Sequence, residues 1–197
     1  TFLATLVTAV LFSSFTYTNP VLEDKTIDIQ KSTVEWKAYK VGGNHYGTVD
    51  MESGSVQLQD GVLVGGEFTM NMTSIIVTDI SGGGKKSLEG HLNSEDFFST
   101  VKHKKAKLMI TSVKYNENGR YEIQADVTIK NITQAVSFEA TGNFENGNFS
   151  ASAAIFLFSD TTCCEYPINP TTPKTNIVKN INENLVTFIN LLSINTL

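Results

Sequence analysis

The sequence predicts an all-β fold: an antiparallel up-and-down β-barrel with one short helical insertion. Three observations carry this. Apolar and polar residues alternate in long runs after Pro20, Gly-containing turn pairs punctuate those runs, and one segment alone interrupts the pattern before the C-terminal region. Period-2 alternation gives each strand one dry and one wet face, the habit of antiparallel sheets. A flat sheet of this width leaves two edges open to other chains, and closure into a barrel removes both. With 197 residues, 41% hydrophobic and 18% charged, the chain holds one medium domain with enough apolar mass to offset its entropy. A net charge of −5 offers no overall basic surface to a phosphate backbone, which argues against nucleic acid as a partner.

The first 22 residues carry no charge, and Phe2 to Phe12 form an apolar run of signal-peptide length, too short to span a bilayer. Residues 1–20 are therefore expected to be a secretion signal truncated at its start, cleaved between Ser14 and Pro20. The domain over 21–197 is then expected in the periplasm or outside the cell. The alternative is a buried first strand or helix.

Further on, Val34, Trp36 and Ala38 alternate with Glu35, Lys37 and Tyr39. Val62, Val64, Gly66, Phe68, Met70 and Met72 take one face of the next run, with Leu63, Gly65, Glu67, Thr69, Asn71 and Thr73 on the other. Tyr121, Ile123, Ala125, Val127 and Ile129 form a third row, and Val136, Phe138, Ala140 and Phe144 a fourth. Ser53-Gly54, Asp60-Gly61, Asn118-Gly119 and Asn146-Gly147 read as hairpin turns. Ser81 to Gly84 reads as a loop and Lys85 to Phe98 as short helical turns, with Ser94 an N-cap ahead of Glu95 and Asp96. Residues 159–180 lose the alternation and hold three of the four prolines, and Leu185 to Leu191 restores it as a closing strand. Neighbouring Cys163 and Cys164 cannot form an ordinary disulfide and read as free thiols.

Three stretches share one resemblance. Ser32-Thr33-Val34-Glu35-Trp36 is followed by Lys40, Gly42, His45 and Gly47. Leu88-Glu89-Gly90-His91-Leu92-Asn93-Ser94-Glu95-Asp96-Phe97-Phe98 comes next. Then Asp126-Val127-Thr128-Ile129-Lys130 leads into Thr133 and Val136. In order and spacing, over residues 26 to 158, they resemble the YceI-like family of polyisoprenoid-binding, lipocalin-like barrels. Ala125 and Asn131 stand where that family usually has Gly, and Pro is missing after His103. Ser159 to Cys164 replaces an aspartate-arginine-threonine stretch, so this part is either a divergent loop or a locally disturbed reading frame.

The inward-facing Phe68, Met70, Met72, Ile75, Phe97, Phe98, Phe138, Phe144 and Ile155 allow two readings. They fill the core of an envelope module that acts through its surface. Alternatively, they line a tunnel left open by Gly65, Gly66, Ala140, Gly142, Ala151 and Ala153. The resemblance implies the tunnel, with these nine as its lining and a quinone or polyprenyl lipid as cargo. Two adjacent aromatics on a Gly-bounded segment suit Phe97-Phe98 to a lid at one end; the alternative is that they staple a short helix to the barrel. Hydrocarbon burial at about 0.8 kcal/mol per CH₂ makes a few isoprene units sufficient for micromolar binding.

His45, His91 and His103 lie at no metal-ligand spacing, and nucleophile elbow, phosphate loop and dinucleotide fingerprint are all missing. No catalytic residue, metal or cofactor is expected. Lys102-His103-Lys104-Lys105-Ala106-Lys107, the one basic cluster, is either a solvated turn or a transient contact with an anionic membrane surface.

Overall fold

The computed structural model describes residues 20–40, 43–158 and 187–196. The expected signal segment, the Cys163-Cys164 pair and the irregular 159–180 stretch lie outside the described residues. In chain order the elements are β1 (Leu22–Thr26), β2 (Thr33–Lys40), β3 (Gly43–Gln59), β4 (Val62–Val77), α1 (Gly82–Asn93), β5 (Lys105–Asn116), β6 (Arg120–Ile129), β7 (Ile132–Glu145), β8 (Asn148–Phe158) and β9 (Thr187–Asn195).

Every strand from β2 to β9 pairs antiparallel with its neighbours in sequence, and β9 returns to β2. The ring of eight is thereby closed, as the alternation and the turns predict. β1 adds to the edge of β3 at Ser55–Gln59, the same edge that β2 occupies at Gly43–Thr48. Ile27 bridges Thr196, and the Asp28 N–H donates to the Asn195 carbonyl at 2.8 Å, fastening this corner to the end of β9.

Three predicted turns carry left-handed residue pairs: Asp60-Gly61 (φ 51° and 79°), Asn118-Gly119 (62° and 74°) and Asn146-Gly147 (52° and 81°). This geometry matches the right-handed twist of the flanking strands. Lys130-Asn131 (51° and 62°) makes a fourth such turn without glycine. Ser53-Gly54 is not a turn. It lies inside β3 beside a bulge at Glu52, and a Cβ on Gly54 would stand 3.0 Å from both Ile27 and Phe68. Its glycine serves close packing rather than chain reversal.

β4 departs from strict alternation in a second way. Leu63 and Phe68 are both buried although they are an odd number of residues apart, because the register with β3 slips at Gln57/Leu58. Val64 is thereby left outward and exposed, and the Val62–Met72 row changes face.

The helix is also placed differently from the sequence expectation. Gly82–Gly84 form its first turn rather than a loop, and Ser94 follows its last residue. The Ser94 N–H (3.1 Å) and hydroxyl (2.8 Å) both donate to the His91 carbonyl. The Phe98 N–H donates to the Leu92 carbonyl, and the Asn93 side-chain amide to that of Glu89. These donors satisfy carbonyls orphaned at the helix end. The chain turns back there, so Glu95 and Asp96 do not begin a helix.

The topology gives the barrel two unlike ends. The β3–β4, β5–β6 and β7–β8 turns gather at one, the turn end. The connection through α1 and the β6–β7 turn lie at the other, the helix end.

Candidate functional site: the barrel interior and its helix end

Inward rows from β2 to β8 meet in one apolar cluster, with Ile194 added from β9. Val34, Trp36 and Ala38 come from β2, Tyr121, Ile123, Ala125 and Val127 from β6, and Phe149, Ala153, Ile155 and Leu157 from β8. Buried polar side chains among the described residues are Asp28, Ser99, Thr100 and Thr196, together with the Tyr121 hydroxyl, and all belong to the ends. Nothing between them supplies a buried acid or base.

Of the nine expected lining residues, Phe68, Met72, Ile75, Phe97, Phe98 and Ile155 are buried in this cluster, and Met70 and Phe138 pack against it. Phe144 lies apart at the turn end, 39% exposed, with its ring over the Gly61 turn. That end is packed with aromatics. Tyr121 and Phe149 meet edge to face at 6.3 Å, and a Cβ on Gly142 would touch both rings. Burial pushes the Tyr121 hydroxyl pKa above the ordinary value, against a bond at the Leu63 backbone that lowers it. A groove of about 500 Å³ opens beside this end, lined by Lys31, Asn143, Asn148, Asn195 and their neighbours.

At the helix end α1 buries Leu92 and lays Leu88 against the core. The Glu89 carboxylate accepts from the Val77 N–H at 2.9 Å, fixing the helix to β4. Phe97 and Phe98 pack edge to face at 4.5 Å, with His91 5.7 Å from Phe97. Ser99, at φ +49°, and Thr100 are anchored from below. The Thr100 hydroxyl donates to Asn93 Oδ1 at 2.6 Å, and the Ser99 N–H to the Ser94 carbonyl at 2.7 Å. The Lys102 and His103 N–H groups close back on the Ser99 carbonyl. Val101, at the tip of this fixed turn, is 82% exposed.

The helix end also carries Lys102, Lys104, Lys105, Lys107 and Lys130, from the turn itself, the start of β5 and the β6–β7 turn. Lys102 bonds the Glu95 carboxylate at 2.7 Å, and Lys130 donates to the Glu95 carbonyl at 3.2 Å. Lys102 and then Lys130 hold the Glu95 carboxyl below its usual pKa. Lys105 pairs with Glu52 at 2.6 Å.

His45 and Asp79 form a side-chain pair that the sequence reading does not connect. The His45 Nδ1–H donates to Asp79 Oδ2 at 2.8 Å, and the Tyr46 N–H to Oδ1 at 3.3 Å. Burial raises the Asp79 carboxyl, but these bonds outweigh it and leave the pKa below the usual range. The pair fastens β3 to the segment leading into α1. Among the described residues no three His, Cys, Asp or Glu side chains gather to hold a metal. No helix among them is long and apolar enough to cross a membrane.

Residues 26–161 match the model of the YceI-like domain. The chain belongs to the YceI-like family. No curated protein matches it. Among solved structures, BcnA of Burkholderia cenocepacia superposes with a TM-score of 0.60 at 13% identity, over 84% of this chain and 98% of BcnA. It shares the fold. The Campylobacter jejuni YceI protein matches with a TM-score of 0.39 at 10% identity, over 79% of this chain and 74% of that one. The stretches from Ser32 to Gly47, Leu88 to Phe98 and Asp126 to Val136 all fall within the YceI-like match. They correspond to the tryptophan strand and its hairpin, the helix with its anchored turn, and the β6–β7 hairpin.

Proposed function

We propose that this YceI-like barrel is a carrier that binds the tail of an isoprenoid lipid, of quinone or polyprenyl type, and makes or breaks no bond. The observation that carries this reading is the distribution of buried polarity. The interior is apolar along its length, and the buried polar groups are held at the two ends. Such a chamber stabilises hydrocarbon and offers no general acid or base to a reacting group. Met70, Met72, Phe68, Ile75, Phe97, Phe98, Phe138 and Ile155 supply a compliant lining for a flexible tail. Phe144 guards the turn end. The helix end is the mouth, where Val101 and the lysines of that end meet an anionic bilayer. The charge-free N-terminal run supports action in the periplasm or outside the cell.

Mass spectrometry of the lipid extracted from natively purified protein tests the reading. A stoichiometric prenyl lipid is the expected result. The rival is a filled envelope module, favoured by the Tyr121, Gly142 and Phe149 packing at the turn end. A folded, monodisperse protein free of lipid would decide for it.

A further inference from the structure

One polar side chain enters the apolar row of β7. Gln134 precedes Val136, Phe138 and Ala140 at two-residue spacing; Val136 and Ala140 are buried and Phe138 packs on the core. Its register partner on β6 is Val127, itself buried on the inward row. The carboxamide oxygen Oε1 of Gln134 is shut off from solvent and has no hydrogen-bond partner, which holds for no other buried side-chain oxygen or nitrogen among the described residues. A buried acceptor without a donor destabilises the fold, and native proteins pair nearly all such atoms with protein, water or a ligand.

Among the described residues the strand around this atom is unpaired on one side as well. β7 and β8 pair from Ala140–Ala153 down to Glu145–Asn148, whereas β7 begins at Ile132 and β8 continues to Phe158. Among the described residues the Ile132–Glu139 part of β7 therefore has β6 on one side and no paired strand on the other. Gln134 lies in this stretch, four residues beyond Lys130, whose ammonium ties the β6–β7 turn to Glu95 at the helix end. An inward acceptor without a donor, a parted seam and the proposed mouth coincide.

We infer that Gln134 Oε1 accepts a hydrogen bond from a hydroxyl on the head group of the cargo. This deepens the carrier reading and rests on it. It narrows the ligand to an isoprenoid alcohol or hydroquinone. A hydrocarbon or a fully oxidised quinone brings no donor and leaves Oε1 unpaired. Sites built around a buried polar group reject analogues that cannot satisfy it.

Delipidated full-length protein is titrated with geranylgeraniol and with geranylgeranyl methyl ether, following Trp36 fluorescence. The tails are identical and only the alcohol has an O–H to donate. Wild type is expected to bind the alcohol about ten-fold tighter. Gln134→Leu is expected to bind both with the affinity of the ether, and to melt no lower than wild type when empty, since it removes an unpaired acceptor. Equal binding of the two by wild type, or an alcohol preference that survives in Gln134→Leu, overturns the role of Gln134 and leaves the carrier reading standing. Failure of wild type to bind either overturns both.

Discussion

At position 47 a hydrogen in place of a side chain decides how the chain's one tryptophan sits. A Cβ there would overlap the Ile76 carbonyl and stand 2.9 Å from the Trp36 ring, whose Nε1–H donates to that same carbonyl at 3.1 Å. Gly47→Ala is therefore expected to lower stability by about 1–3 kcal/mol, as overpacking does, read as a shift in urea midpoint. The neighbouring His45–Asp79 pair adds a dependence on pH. The folded Asp79 carboxyl holds its proton less tightly than in the unfolded chain, where its pKa is near 3.8. Its contribution is thus fully present above that value and is lost as pH falls through the lower folded pKa. Thermal melts should show this acid-side loss in wild type and less of it in Asp79→Asn. Neither feature was written in local pattern. Gly47 belongs to the family-like stretch, but its reason lies on a strand about 30 residues away, and the partner of His45 lies just beyond that strand. Gln134 left a local trace: carried two residues back from Val136, the inward row of β7 reaches it.

Among the elements, β2, β7 and β8 keep one register with both neighbouring strands and β6 with β7, so their faces follow from alternation alone. β4 pairs with β3 through three slips of register, and each exchanges inside for outside without any mark in composition. The helix was legible as an insertion and misread in its polarity. Ser94 with two carboxylates has the composition of an N-cap, yet the same serine closes a C-terminus, where Asn93, Leu92 and His91 had already set the hydrogen bonds. Asn93 is the hinge of that arrangement, donating to the Glu89 carbonyl at 2.7 Å and accepting from Thr100 at 2.6 Å. Asn93→Ala should cost about 1–3 kcal/mol through the partners it orphans. It should also speed amide exchange over Ser99 to His103 well before the strands open.

For the molecule as a whole, charge is segregated. The chain carries a net −5, yet five lysines against Glu52, Glu95 and Asp96 lie at the helix end, where Val101 is exposed. An apolar tip at a basic end suits an anionic bilayer, where each lysine contributes about 1 kcal/mol near the surface. Val101→Asp is expected to cut co-sedimentation with phosphatidylglycerol-containing vesicles at least several-fold and leave the melting temperature unchanged. Lys114→Glu, on β5 toward the turn end, should sediment as wild type does; equal loss in both variants would reduce the effect to net charge. The basic run was plain in the sequence. Its company at the helix end was not, because Lys130 comes from β6–β7 and Glu95 from the far side of the helix turn.

The strand that closes the ring also sets an order of events. β9 pairs with β2 between residues about 160 apart in sequence, as at Thr33 and Ser193, while the β3–β4, β5–β6, β6–β7 and β7–β8 hairpins each close over a few residues. Contacts so distant form slowly, since the loop entropy must be lost before any pairing rewards it. A chain in which β9 has not yet docked is a curled sheet with the edges of β2 and β8 exposed. In that state its apolar face is open along its whole length, so a neighbour that seeks an apolar face or a free strand edge has one moment to bind it.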